Sequence, residues 1–196
     1  MNLPEIVIPK NFLAKRPKSL SFLCRKIFKL IGWKALGTIP ENKNLMVAVG
    51  PHTSNWDFVV GMLFVIGWDA RINWIGKHSI FKPGLSKLFR GFGGIPVNRE
   101  NSENLMEEIH QVINQHKHYI IAIAPEGTRK KVEKLKSGFI RISNQLQCDI
   151  MLAGLDFKRK MIIINDFFQP CGDLELDLAA VKSYFANFGA KRKNNF

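Results

Sequence analysis

Two short stretches of this chain combine residue types and spacing that could do chemistry. They are Pro51-His52-Thr53-Ser54-Asn55-Trp56-Asp57 and, well downstream, Pro125-Glu126-Gly127-Thr128-Arg129. An imidazole within reach of a carboxylate can move a proton, the carboxylate fixing the tautomer and stabilising the imidazolium that forms. A His followed five places later by Asp is weak by itself. With five His and seven Asp in 196 residues, chance gives about one such pair in six sequences of this kind. Glu-Gly-Thr-Arg is far rarer, on the order of one in two thousand sequences of the same composition. The two in this order form a strong signal.

The spacing constrains the elements that must carry these residues. On a continuous helix, neighbours at i and i+5 diverge by roughly 140°, so His52 and Asp57 could not meet if the whole motif were helical. The chain must break between them. Leu45-Met46-Val47-Ala48-Val49 reads as a buried strand, Gly50-Pro51-His52 as the turn leaving it, and a helix starts near Asn55. The imidazole then sits over the first turn of that helix, where Asp57 can reach it. Ser54 and Asp57, three apart before an apolar run, also resemble a capping box with Asp in place of Glu, so Asp57 has a structural reading of equal weight.

Further along, residues 71–76 and 93–99 read as strands, 81–89 as a short helix, and 102–115 as a helix that Ser102 could cap. Tyr119 to Ala124 is a continuous apolar run typical of a buried parallel strand, and it delivers the Glu-Gly-Thr-Arg turn at its carboxyl end. Two more strands fall at 150–157 and 161–168, and a last helix at about 175–188. Alternating strands and helices predict an α/β fold, a largely parallel sheet flanked by helices, in which sites gather outside the carboxyl ends of the strands. Both motifs leave strands at such positions.

Bulk properties narrow the class. Cys24, Cys148 and Cys171 are odd in number and lack metal-ligand spacing, so neither a disulfide framework nor a metal site is expected. Met1-Asn2-Leu3-Pro4-Glu5 lacks the pattern of a cleaved signal, and the longest apolar run, residues 58–68, is too short to span a bilayer. Charge is exceptional: 29 Lys and Arg against 16 Asp and Glu give +13, which points to a polyanionic partner. Residues 1–40 hold eight basic side chains against the single acid Glu5. There Leu20, Phe22, Leu23, Ile27, Leu30, Ile31 and Trp33 recur at roughly helical spacing, with Arg25, Lys26, Lys29 and Lys34 on another face. We therefore expect an N-terminal basic amphipathic helix, residues 1–40 forming a membrane-associating segment on an anionic surface and 41–196 a single α/β domain. The commoner alternative packs that apolar stripe on the core.

From about Met46 to Asp156 the chain resembles the glycerophospholipid acyltransferases, whose best-known members acylate glycerol 3-phosphate and lysophosphatidic acid. His52-x4-Asp57 corresponds to that family's first block, Gly93-Gly94-Ile95-Pro96-Val97-Asn98-Arg99 to the second and Glu126-Gly127-Thr128-Arg129 to the third. The resemblance implies that His52 is the general base and Asp57 its partner, with Arg99, Glu126, Gly127, Thr128 and Arg129 forming the acceptor site. Lys77 and Lys136 are weaker candidates. Asn98 stands where an acid commonly precedes the block-two arginine, Ala124 where an aromatic often precedes Pro125, and no proline occurs in the strand Ile150 to Leu155. These departures leave the His-Asp pair untouched and bear on the acceptor.

The implied reaction moves a fatty acyl group from a thioester, acyl-CoA or acyl carrier protein, to a hydroxyl of a lysophospholipid, 1-acylglycerol 3-phosphate above all. It needs no cofactor and no metal. Arg99 and Arg129 suit a phosphate because a guanidinium donates two parallel hydrogen bonds to it. The expected setting is the cytoplasmic face of a membrane, peripheral or monotopic, with an acyl carrier protein as a candidate partner. Three other readings compete: a non-glycerophosphate lipid alcohol as acceptor, a catalytically idle member of the fold, and a basic nucleic-acid-binding protein. The last lacks an aromatic RNA-binding signature, zinc spacing or a helix-turn-helix pattern.

Overall fold

The computed structural model describes residues 3–98 and 105–195. Seven strands form one sheet: β1 (Lys34–Gly37), β2 (Leu45–Gly50), β3 (Asn73–Lys77), β4 (Gly94–Val97), β5 (Ile120–Ile123), β6 (Asp149–Asp156) and β7 (Met161–Phe168). Among the described residues six α-helices accompany them: α1 (Lys18–Leu30), α2 (Asn55–Gly67), α3 (Ser86–Gly91), α4 (Leu105–Ile113), α5 (Gly138–Leu146) and α6 (Leu174–Ala186). The order across the sheet is β1-β7-β6-β2-β5-β3-β4.

Strands β6, β2, β5, β3 and β4 are mutually parallel. The β6–β7 pair is an antiparallel hairpin, because its connection is too short for a crossover. β1 pairs parallel to β7 and so runs against the other five. The fold is α/β and largely parallel, as the alternating pattern predicts.

Helices cover both faces, which is why the central strands read as unbroken apolar runs. Leu45 and Val47 of β2 face a core shared with Val60 and Phe64 of α2 and Phe28 of α1. Met46 and Ala48 face the opposite core, with Ile109 of α4, Phe139 of α5 and Val181 and Phe185 of α6. Small residues let the layers close. A Cβ on Gly50 would lie 2.7 Å from the Phe185 ring, and one on Gly154 only 2.2 Å from the Phe188 ring. The apolar strand without a proline is thus shaped by Phe188, an aromatic just beyond the end of α6.

The expected division at residue 40 does not appear in the packing. Ile6, Phe12, Phe28 and Ala35 lie in the same core as β2 and α2, and β1 completes a sheet edge. Helix α1 docks on α2 where Gly67 has no side chain, a Cβ there falling 2.9 Å from the Arg25 amide nitrogen. Arg25 fastens the contact, its Nε donating to the Gly67 carbonyl at 2.9 Å with its guanidinium 5.0 Å from the Trp68 ring centre. Arg25 is therefore not on a free basic face, which corrects the helical reading of that residue. The apolar stripe departs from the core alternative as well. Cys24 and Phe28 point inward, whereas Phe22, Leu23 and Leu30 are 62%, 56% and 87% exposed.

Candidate active site

Residues 51–54 carry the chain from the carboxyl end of β2 into α2, the strand–turn–helix break that the His52-to-Asp57 spacing demands. Asp57 is buried, and its Oδ2 accepts hydrogen bonds from the Thr53 and Ser54 amides, each at 2.6 Å. Its Oδ1 accepts from the Ser54 hydroxyl at 2.9 Å. Ser54 and Asp57 form a capping box at the start of α2, where a carboxylate also meets the positive end of the helix dipole. The same Oδ2 lies 3.3 Å from His52 Nδ1. Capping and pairing are therefore one arrangement: the helix start that satisfies Asp57 also fixes it against the imidazole. With Nδ1 turned to the carboxylate, Nε2 is the ring nitrogen left to take up a proton. The imidazole side chain is 24% exposed, enough for a reactant to reach it.

Neighbouring β5 delivers the second motif beside the first, because β2 and β5 are adjacent and parallel. Gly127 has φ +64°, a left-handed turn conformation, and a Cβ there would crowd the Lys136 side chain at 3.1 Å. Glu126 is 1% exposed, and its Oε1 accepts the His52 amide hydrogen at 2.6 Å. Burial pushes its carboxyl up to about 7; the His52 hydrogen bond works against that rise, the Asp57 carboxylate adds to it and Lys182 opposes it. Among the described residues, Glu126 Oε2 has no hydrogen-bond partner. The resemblance puts Glu126 in the acceptor site, but the structure turns it inward onto the backbone of the His52 loop.

The other expected residues distribute as follows. Arg129 is exposed, and its Nη1 donates to Asn55 Oδ1 on the first turn of α2. Thr128 Oγ1 accepts the Lys130 amide at 3.3 Å and shapes the loop. Lys136 is exposed with its stem along Gly127. Lys77 is exposed at the carboxyl end of β3, which is separated from β2 by β5. Arg99 and the capping Ser102 lie outside the described residues. Among the described residues, no group of three or more His, Cys, Asp or Glu side chains could hold a metal ion.

Sequence reading missed two contributors. Asn55 sits inside the first motif but reads there as a spacer. Asn195, which donates through Nδ2 to the carbonyls of Thr53 at 3.4 Å and Arg129 at 2.8 Å, lies in no motif at all.

The model of the Acyltransferase family matches residues 34–153, well over half of the chain. The chain belongs to the acyltransferase family. No curated protein sequence matches this acyltransferase. Among solved structures, the acyltransferase is similar to the 1-acyl-sn-glycerophosphate (LPA) acyltransferase PlsC from Thermotoga maritima. The two share 17% identity over 87% of this chain and 76% of that one, with a TM-score of 0.58. At that identity the likeness speaks for the fold, and the family match carries the activity class. His52 and Asp57 lie within the matched region, as do both loops beside them.

Proposed function

We propose that this acyltransferase moves a fatty acyl group from a thioester, acyl-CoA or acyl carrier protein, to the hydroxyl of a lysophospholipid in phospholipid biosynthesis, with 1-acylglycerol 3-phosphate as the principal acceptor. The observation that carries the proposal is the His52–Asp57 pair at 3.3 Å, with the exposed Arg129 of the neighbouring loop bonded to Asn55 between them in sequence. Neutral His52 takes the proton of the acceptor hydroxyl through Nε2 as the oxygen attacks the thioester carbonyl. The carbon–sulfur bond breaks, and the imidazolium, stabilised by Asp57, returns the proton to the departing thiolate. No acyl-enzyme and no cofactor is required.

Arg129, and Arg99 by the sequence resemblance, bind the acceptor phosphate by charge-assisted hydrogen bonds. The test incubates the purified protein with both thioester donors and a panel of lysolipids with and without a phosphate monoester, with products read by mass spectrometry. Arg129→Ala should raise KM for the phosphate-bearing acceptor, by about tenfold for the loss of one charge-assisted contact, and leave the thioester KM near wild type. An equal loss toward acceptors with and without phosphate would show that phosphate is not what Arg129 binds.

We also propose that the protein works at the cytoplasmic face of an anionic membrane, held peripherally by α1. Among the described residues no helix is long and apolar enough to cross a membrane. The outward Phe22, Leu23 and Leu30 lie on the same helix as the exposed Lys18, Lys26 and Lys29, a composition suited to an acyl boundary beneath anionic headgroups. Each ammonium near such a surface contributes about 1 kcal/mol, so replacing these three lysines with Gln should weaken binding to anionic vesicles by about 100-fold. Arg25 is left in place because it fastens α1 to α2. Equal sedimentation with neutral and anionic vesicles, or unchanged binding of the triple variant, defeats the electrostatic part of this proposal.

A further inference from the structure

The segment that follows α6 returns to the active site. The Gly189 carbonyl accepts the Phe157 amide hydrogen at 2.7 Å, and Lys191 Nζ lies 5.6 Å from the centre of the Phe157 ring, so the segment is tethered at the β6–β7 turn. It then crosses to the catalytic loop. The Arg192 amide donates to Thr53 Oγ1 at 3.2 Å. Asn195 Nδ2 donates to the Thr53 carbonyl at 3.4 Å and to the Arg129 carbonyl at 2.8 Å. The Asn195 amide closes the turn by donating to the Arg192 carbonyl at 3.0 Å.

Thr53 is the point where these contacts converge. It is fully buried, and each of its polar groups is used: its amide donates to Asp57, its hydroxyl accepts from Arg192 and its carbonyl accepts from Asn195. It stands next to His52, so its orientation sets that of the imidazole's backbone. A single side-chain amide on Asn195 therefore spans the loop that carries the proposed base and the loop that carries the proposed phosphate ligand.

We propose that Asn195, supported by the Arg192 amide, is a positioning residue that locks the His52 loop to the Arg129 loop and so sets the acceptor against the base. Asn195 acts through Thr53 and Arg129 and need touch no substrate. The kinetic part of the proposal rests on the reading of Arg129 as an acceptor ligand. Catalytic groups displaced by an ångström can lose two orders of magnitude in rate, so a clamp of this kind matters even where its own hydrogen bonds are modest.

The test compares full-length Asn195→Ala and Asn195→Asp with the wild type. Alanine deletes the donor, and aspartate keeps the shape while turning a donor into an acceptor facing two carbonyls. Both should lower kcat/KM for the acceptor by roughly 10- to 100-fold, raise acceptor KM and leave donor KM unchanged. Arg129→Ala combined with Asn195→Ala should cost less than the two separate losses multiplied, because both act on one loop. Hydrogen exchange at the Thr53 and Ser54 amides should quicken in both variants, with protection of the central strand β2 retained.

A merely structural role would instead lower thermal stability and the active fraction, with acceptor KM unmoved and the double variant multiplicative. That result overturns the proposal, as does unchanged exchange at Thr53 and Ser54. Should the wild type turn over no phosphate-bearing lysolipid, the acceptor assignment fails, and the exchange measurement still decides whether Asn195 holds the loop.

Discussion

Replacing His52 with alanine is expected to lower acyl transfer by about 10²- to 10⁴-fold, the range for loss of a general base, while the fold stands. The structure gives the reason for the second half. The imidazole's polar contact is Asp57 at 3.3 Å, whereas the loop is held by the His52 amide donating to Glu126 at 2.6 Å, a bond alanine keeps. Stability should therefore change by no more than about 1 kcal/mol, as for a partly exposed side chain outside the core. Steady-state turnover with acyl-CoA and lysophosphatidic acid, beside a thermal melt, measures both. Turnover within a few-fold of wild type would remove His52 from the chemistry. Added imidazole should restore part of the lost rate, since the variant opens space where the ring stood.

How far these features could be read in advance follows from the range of the interactions behind them. The helix expected to start near Asn55 does so and runs to Gly67, because its start is coded locally by Ser54 and Asp57 and its interior by an apolar run. β2 and β5 were likewise legible as buried runs, and β6 and β7 as strands. Helix α5 was not. Its buried face includes β-branched Ile140 and Ile142 within only nine residues, too short a window for the helical period to stand out. β1 does not stand out within residues 1–40 because four residues ending at Gly37 owe their extended form to pairing with β7, more than a hundred positions away. The basic stretch reads as amphipathic, but its docking needs Gly67 at the end of α2 and Trp68 just beyond it, which no feature of residues 1–40 announces.

The site divides along the same line. His52 and Asp57 were legible because one short turn-to-helix segment holds both. The inward turn of Glu126 was not, since it depends on β2 and β5 being neighbours in the sheet. Asn195 was still less accessible, at 66 positions from the Arg129 carbonyl it binds and without a motif of its own. What the motif supplies is the His52–Asp57 pair; what the fold supplies is the set of contacts that hold this pair beside the second loop.

Asp57→Asn is the second large effect, and its geometry predicts a particular size. Two backbone amides, from Thr53 and Ser54, point at Oδ2 at 2.6 Å each. An asparagine must present its carbonyl oxygen to them, because an amide nitrogen there would set donor against donor. That orientation keeps an acceptor facing His52 Nδ1 and retains the imidazole tautomer. Its amide nitrogen then meets the Ser54 hydroxyl, which can turn to accept. The variant thus loses the charge that stabilises the imidazolium and keeps the alignment. Its loss in kcat should be about 10²- to 10³-fold, short of the roughly 10⁴-fold seen when a triad carboxylate is replaced and the wrong tautomer results.

The stability cost of Asp57→Asn should be about 1 to 3 kcal/mol, since the lost charge accepted several hydrogen bonds in a buried position. That exceeds the cost of removing a surface cap and corresponds to a fall in Tm of several degrees for a chain of this size. Asp57→Ala should be worse on both counts, leaving the Thr53 and Ser54 amides buried without partners at about 1 to 3 kcal/mol apiece. The pair of variants separates the two duties of the carboxylate. If Asn turns over near the wild-type rate while Ala unfolds, Asp57 is a helix cap alone. If Asn retains most of its stability and loses two to three orders of magnitude in kcat, the carboxylate stabilises the charge that forms on His52.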